Sequence, residues 1–557
     1  VIHRDNQDQQ TTSRGKLMAE QTASLPNPGN TQGGPPAINP WFIAVTVTIA
    51  AFMELLDTSI ANVALPYIGG GLGRSYDEVT WILTTYLVAN AVVLPMTAWL
   101  SRLFGRKTYY LICVVLFTIS SFFCGLAPSL GFMLVWRIVQ GIGGGGLAPV
   151  AQAVLVDTFP PAKRAAAFAL FTVVIVTAPA VGPVLGGWIT DNYDWRWIFF
   201  INVPVGILSL YLSNKLIHDP KAFTEERLAA KAAGRMSIDT VGIILIALAS
   251  ATLEVSLDRG QIDDWFGSIF ITTMIVAAVL GWIGTVAWES YVKDPIIDFG
   301  LLKNRNFAIA STLFFVFGIG LFGTTTLIPQ MLQSLYGYRA IDAGLVLGPG
   351  ALVITLLAPV SAQLLQRQLV SAKTLIFTSL CFISLSMFVY SVMNLDTNGG
   401  HYLAIRALQG VGYGFFLVPA NIIAYSQLRP DQNNKASSLT NLFRNWGGSF
   451  GIAFITTASE RRANLHQMNL GSHLASSSQN LQQNSLGMVS YLMQHGFTSA
   501  DAGGASLGLV YQQLLRQSAF LAFMDCFRVI GWLTITMIPL VFLIRKFKGG
   551  GGASTAH

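Results

Sequence analysis

Apolar runs of about 20 residues or more, with few charges inside them, follow one another from Trp41 to Ile544. A helix rises about 1.5 Å per residue, so ~20 residues cross a hydrocarbon layer of ~30 Å. No other feature narrows the fold as far. The runs are continuous rather than alternating, which excludes a membrane β-barrel. Charged residues are 11% of the chain, against about 25% in soluble domains. The chain therefore reads as an all-α polytopic membrane protein. Fourteen spans are predicted, at 41–68, 79–100, 108–127, 130–156, 165–189, 197–217, 238–257, 268–290, 306–333, 340–366, 372–394, 401–428, 436–459 and 518–545.

The net charge of +7 could suggest a nucleic-acid partner, but the positions of the basic residues argue otherwise. With the N-terminus inside, roughly 20 Lys and Arg fall in the inner connections and roughly 7 in the outer ones, a positive-inside pattern. "SRLFGRK", "PPAKR" and "RKFK" are all inner. No nucleic acid is expected, and both termini are expected in the cytoplasm. Residues 1–40 are polar and aperiodic, and are expected to be a disordered tail without a cleavable signal peptide. Cys113, Cys124, Cys381 and Cys526 all lie in apolar runs. The first two are about 16 Å apart on one helix, too far to bridge. All four read as small core residues, and no metal ligand set is expected.

The chain repeats itself. "RIVQGIG" at Arg137 returns as "RALQGVG" at Arg406. The two copies fall in spans 4 and 12, which makes spans 1–6 and 9–14 equivalent halves. The expected organisation is an N-terminal six-helix bundle at 41–217, a linker with two inserted spans at 218–305, a C-terminal six-helix bundle at 306–545 and a cytoplasmic tail at 546–557. Parallel six-helix repeats with a substrate path between them are a transporter plan.

Two carboxylates stand inside span 1, in "FMELLDTSIANVALP". Each costs about 2.5–3.5 kcal/mol at mid-bilayer on insertion scales, so both need a reason. Glu54 and Asp57 are three residues apart and share a helix face, which Thr58 and Asn62 extend. Arg137, Arg406, Arg444, Asp525 and Arg528 are the other deep charges; Asp157, Asp239 and Glu254 lie nearer span ends, where water is within reach. Glu54, Asp57 and Arg137 are the expected proton-coupling set. Arg406 reads chiefly as structural, and Asp525 with Arg528, at i and i+3, as a self-neutralising pair. "GIGGGG" at 141–146 lies inside a span and lacks a following GK[ST], so it is a helix-packing stripe and not a phosphate loop. His466, His473 and His495 fall in the outer segment and read as surface residues. Trp81, Tyr86, Phe314, Phe315 and Phe317 read as lipid-facing or packing residues.

With "LLDTSIANVALP", "RIVQGIG", "GPVLGG", "WRWIFFINVPVG", "AGLVLGPGAL" and "ASSLTNLFRNWGGSFG" in place, the chain resembles the major facilitator superfamily over about residues 41–545. More narrowly it resembles the fourteen-span drug:proton antiporters of the EmrB/QacA type, nearest their EmrB-like members. The resemblance implies two six-helix bundles with two inserted spans. It implies an antiporter motif at Gly182, Pro183, Gly186 and Gly187, although the motif's first glycine is Ala178 here. It makes Thr58, Asn62, Gln140, Asn441, Arg444 and Asn445 candidates for the substrate cavity. The loop after span 2 departs from the superfamily pattern: Arg102 replaces its acid and Ala98 its glycine, so the usual salt bridge from that acid is not expected.

The resemblance implies export of small hydrophobic or amphipathic drugs in exchange for protons across a bacterial inner membrane. No cofactor is expected beyond the proton gradient, and no enzymatic activity, since the spans hold no nucleophile–base set. A periplasmic membrane-fusion adaptor and an outer-membrane channel are the implied partners. Alternatives are a dedicated exporter of one metabolite, such as a siderophore or fatty acid, and, less favoured, a receptor or scaffold. The polar outer loop at 460–517 is either a solvated hairpin or the adaptor's docking surface. "SLGLVYQQLLRQ" near its end is expected as an amphipathic helix running into the last span.

Overall fold

The computed structural model describes residues 39–219, 224–225, 239–292, 294–474 and 479–545. The tails expected at 1–40 and 546–557, save Asn39, Pro40 and nothing of the second, lie outside these residues, as does most of the connection at 218–238. The described chain is helical. Spans 1–5 are α1 (Pro40–Leu72), α2 (Tyr76–Phe104), α3 (Arg106–Gly125), α4 (Leu130–Thr158) and α5 (Arg164–Asn192). Span 6 is broken at Ile201 into α6 (Trp197–Phe200) and α7 (Asn202–Leu216), and the inserted hairpin is α8 (Thr240–Arg259) and α9 (Ile269–Tyr291). Then come α10 (Arg305–Tyr336), α11 (Ala340–Gln366) and α12 (Ala372–Ser391). Span 12 breaks into α13 (Gly399–Gly414) and α14 (Leu417–Tyr425). The chain closes with α15 (Asn433–Ser472), α16 (Gln479–Gln494), α17 (Ser499–Thr536) and α18 (Ile538–Phe542).

Polar caps mark where helices end. Ser75 and Glu78 form a reciprocal capping box at α2, and Ser129, Asp239, Ser268, Ser371 and Thr498 accept backbone N–H groups at other starts. Gly105 turns the chain between α2 and α3 at φ +91°, a conformation that a side chain disfavours.

Among the described residues, thirteen helices are long and apolar enough to cross a membrane, one fewer than predicted. The run expected at 436–459 is a helix, but its polar residues keep it out of that set. It forms the first part of α15, which packs along α10 and buries Asn441 and Arg444. A helix shielded by other helices needs no all-round apolar surface. The outer segment corrects a second expectation. The described residues of 460–517 are largely helical: α15 continues to Ser472, α16 follows, and α17 runs unbroken from Ser499 to Thr536, into the last span.

We call the end of the bundle at which α1 starts the near end, and the opposite one the far end. At the near end the two halves meet through polar contacts. The Ser437 hydroxyl donates to the Pro149 carbonyl at 2.6 Å, Asn441 donates to Gln152 Oε1 at 2.5 Å, and Gln152 also bonds Asn421. At the far end α5 meets α11 through small residues: a Cβ on Gly187 would strike Ile341, and one on Gly344 would strike Pro183. The inserted α8 lies against α2 on one side and α15 on the other.

Candidate functional site

Asp57 is held by three side chains. Its Oδ2 accepts from Arg137 Nη1 at 2.6 Å, and its Oδ1 from Gln140 Nε2 at 3.0 Å and Asn202 Nδ2 at 2.8 Å. Arg137 is fully buried; it also donates to the Ile82 carbonyl at 3.1 Å and to Gln140 Oε1 at 2.8 Å, and lies over the Tyr86 ring at 4.6 Å. Its Nη2 has no partner. The i, i+3 spacing in "RIVQ" makes Arg137 and Gln140 neighbours on α4, so one motif grips both carboxylate oxygens. A buried ion pair recovers its desolvation only with good geometry and further hydrogen bonds, which the Asp57 oxygens have and Arg137 Nη2 lacks among the described residues.

Glu54 lies one turn away in a different setting. Its Oε1 accepts from Asn90 Nδ2 at 3.2 Å, and its Oε2 accepts nothing. The cation that acts on it is Arg444, from the opposite half, whose own Nε is unpartnered. Asp57 is thus tied within its half, while Glu54 forms no ion pair among the described residues and feels the Arg444 charge from the other half.

The glycines make room for this. A Cβ on Gly144 would collide with the Tyr86 hydroxyl and crowd Asn90 and Glu54. Gly141 and Gly145 seat α4 on α2, and Gly143 and Gly146 seat it on α3. In the expected antiporter motif, Pro183 lacks the N–H that would bond the Pro179 carbonyl. Ser59 Oγ of α1 donates to that carbonyl at 3.1 Å, and a Cβ on Gly182 would strike the same serine. Gly186 packs on Ile60 of α1, and Gly187 turns to α11. The motif joins α5 to both halves.

The remaining cavity candidates scatter. Thr58 bonds its own helix at the Glu54 carbonyl, Asn62 is exposed, Asn445 is half-buried, and Asn441 belongs to the near-end seam. Other expectations need correction. Glu254 does not reach water: it is buried, and both its oxygens accept from Ser449 Oγ, at 2.9 and 3.1 Å. Asp157 and Asp239 do lie at helix ends and are partly exposed, as expected: Asp157 bonds Arg106 and accepts from Asn433 at 2.7 Å, while Asp239 caps α8. Asp525 is no simple pair with Arg528, because Arg462 and His466 share it. Of the two readings given for the aromatics, Tyr86 takes the packing one, buried with its ring against Arg137. Arg102 finds Asp294 at 3.7 Å.

The second copy of the motif has the same frame and a different centre. Arg406 Nη1 donates to Gln409 and, at 3.2 Å, to Thr324 Oγ1; Gln409 Nε2 donates to Thr324 Oγ1 at 3.1 Å. Thr324 of α10 stands where Asp57 stands in the first half. Arg406 is buried and makes no ion pair with a carboxylate among the described residues.

Sequence reasoning missed Asn202, Asn90, Thr324 and Asp258, the last bonded to Thr84. Only Asp258 carried a signal, as a charge near the end of an apolar run.

A fold of apolar helices in two halves, with buried charges between them, is that of a membrane transporter. The family model of the Major Facilitator Superfamily matches residues 47–452. The chain is similar to the multidrug export protein EmrB of Escherichia coli (strain K12), at 33% identity over 92% of this chain and 97% of that protein. It is similar to the fatty acid resistance protein FarB of Neisseria gonorrhoeae, at 34% identity over the same shares of the two chains. Among solved structures, the human organic anion transporter MFSD10 shares the fold, with TM-score 0.53 at 12% identity, over 90% of this chain and all of that one. The chain belongs to the Major Facilitator Superfamily.

Proposed function

We propose that the chain is a proton-driven exporter of several hydrophobic or amphipathic compounds. It spans a bacterial inner membrane many times, with its near end and both termini in the cytoplasm. The observation that carries the reading is the pair of buried carboxylates on α1, Asp57 with a full set of partners and Glu54 with one oxygen unpartnered among the described residues and the charge of Arg444 acting on it from the opposite half. Similarity to EmrB-type exporters supports the substrate class.

The chemistry follows from which state each bond needs. Asp57 accepts from Arg137, Gln140 and Asn202 as a carboxylate; a proton on it cancels the charge that holds Arg137. Glu54 attracts Arg444 only while ionised, so a proton there loosens a tie between the halves. Proton occupancy then biases how the halves sit, as coupling between two sites requires. The proton gradient drives the cycle without nucleotide or cofactor. The helices α15, α16 and α17 extend beyond the expected membrane boundary, and they are where a periplasmic adaptor, leading to an outer-membrane channel, would dock.

The test is a drug-susceptibility panel on a deletion strain complemented with wild type or Asp57→Asn, with counterflow in proteoliposomes alongside. Wild type restores resistance and Asp57→Asn at equal expression does not. Uphill efflux at the wild-type rate in the mutant refutes the role of Asp57. A strict need for ATP in the purified system refutes the proton drive. Export of a single fatty-acid-like metabolite is the second reading, favoured by the similarity to FarB; resistance confined to that one class would establish it instead.

A further inference from the structure

A groove of about 770 Å³ opens on the far-end half of α15 and α17, beside Trp265 of the α8–α9 connection. Its lower wall is apolar: Phe450, Phe454, Val529 and Trp532 line it and are each between 39% and 57% exposed. In a membrane these exposed rings meet lipid. Its upper wall holds Arg461, Arg462 and Arg528 against one carboxylate, Asp525. That carboxylate is already engaged by Arg462 at 2.5 Å, Arg528 at 3.2 Å and His466 at 2.9 Å. The neighbouring Glu460 is turned away, accepting from Gln261 at 2.6 Å. Arg461 makes no ion pair among the described residues. Arg528 also donates to the carbonyl of Ser391, the last residue of α12, which sets the guanidiniums at the end of the spans. From Phe450 to Arg461 the groove follows about 16 Å of helix.

We propose that this groove binds an anionic phospholipid of the leaflet at the far end, with its phosphate on Arg461 and Arg528 and an acyl chain between Phe454 and Trp532. Charge selects the ligand. Three guanidiniums and one saturated carboxylate leave an excess of positive charge at headgroup depth, and guanidinium groups bind phosphate with strong charge-assisted hydrogen bonds. Position selects its source, because the apolar lining is exposed on two membrane-span segments and no residue of the N-terminal half, 41–217, contributes to it. That this leaflet is the outer one rests on the orientation proposed above; the binding does not.

The experiment is native mass spectrometry of the full chain, washed in neutral detergent and supplied with phosphatidylglycerol and phosphatidylcholine of equal chain length. Wild type retains phosphatidylglycerol in preference. Arg461→Gln, which breaks no ion pair, lowers that preference about tenfold, the scale of one charge-assisted hydrogen bond, and Arg461→Lys restores part of it. Phe454→Ala lowers retention of both lipids. Equal retention of the two lipids by wild type overturns the proposal, as does an Arg461→Gln protein that matches wild type. Displacement of the phosphatidylglycerol by an equal concentration of sodium dodecanoate also overturns it, since the groove would then prefer a free anionic amphiphile. Retention is read without transport, so failure here leaves the export reading standing.

Discussion

The two copies of RxxQGxG build the same grip around different centres. In the first half Arg137 and Gln140 close on Asp57; in the second Arg406 and Gln409 close on Thr324. The first centre is a buried carboxylate paired with an arginine. A threonine hydroxyl offers hydrogen bonds and no titration in the working range. The grip is therefore a helix-positioning device that both halves share, and the carboxylate is what makes one copy a candidate for proton coupling.

The largest effect expected from this contrast is on transport. Asp57→Asn keeps the size of the side chain and removes the charge, so gradient-driven efflux falls to background while the protein still reaches the membrane. Efflux assays at matched expression check it. Thr324→Asn, at the matching place, leaves efflux within about twofold, less than the tenfold that 1.4 kcal/mol would bring. Equal losses in the two mutants would erase the functional distinction between the halves.

The next effect is on stability. Arg137→Met strands Asp57, and breaking a buried ion pair costs about 3–5 kcal/mol. Arg406→Met strands only neutral acceptors, Gln409 and Thr324, at about 1–3 kcal/mol. Thermal unfolding in detergent should separate the two arginines in that order. A reversal would mean that Arg406 is balanced by a charge other than those around it in the structure.

Much of this was legible in the residues themselves. Asp57 announced itself because a carboxylate in an apolar run is costly, and Arg137 because its motif recurs at Arg406. Asn202 gave no such sign. An asparagine beside a helix break has no distinguishing cost, and only the fold brings it from α7 to within 2.8 Å of Asp57. Thr324 was hidden for a different reason, since α1 and α10 share no motif around the matching positions. The helical character of residues 460–517 was legible only near α17, where apolar spacing is regular. Polar composition reads as loop when the partners that cover a helix are far away in sequence. The same blindness applied to Glu254, whose partner Ser449 lies on α15.

A third expectation sharpens the difference between the two carboxylates of α1. Asp57 bonds within its half, so its coupling should be to Arg137. Glu54 feels the charge of Arg444 from the other half, and its coupling should be to that residue. A double-mutant cycle on Glu54→Gln and Arg444→Gln should return a stability coupling of about 0.5–3 kcal/mol, as interacting neighbours do. Glu54→Gln paired with Arg406→Gln should return none. Coupling of Glu54 to both arginines alike would mean that the two halves share one diffuse field and not a specific tie.

The smallest effect tests whether the second grip holds at all. Thr324→Val is nearly isosteric and removes the hydroxyl that Arg406 and Gln409 both donate to, at 3.2 and 3.1 Å. Two neutral acceptor contacts vanish at once, but Gln409 Oε1 still receives from Arg406 and Gln409 Nε2 still reaches the Tyr413 hydroxyl at 3.3 Å. The loss should therefore stay near a single buried hydrogen bond, about 0.5–1.5 kcal/mol, and not double. Transport should persist, because no proton site is touched. Thermal unfolding reads the first expectation and efflux the second. A loss above that range with efflux intact would show that Thr324 anchors the C-terminal half more firmly than its contacts indicate. Lost efflux at unchanged stability would be the more serious result. It would place the second copy of the motif in the transport cycle, and the division between a half centred on a carboxylate and a half centred on a hydroxyl would fail.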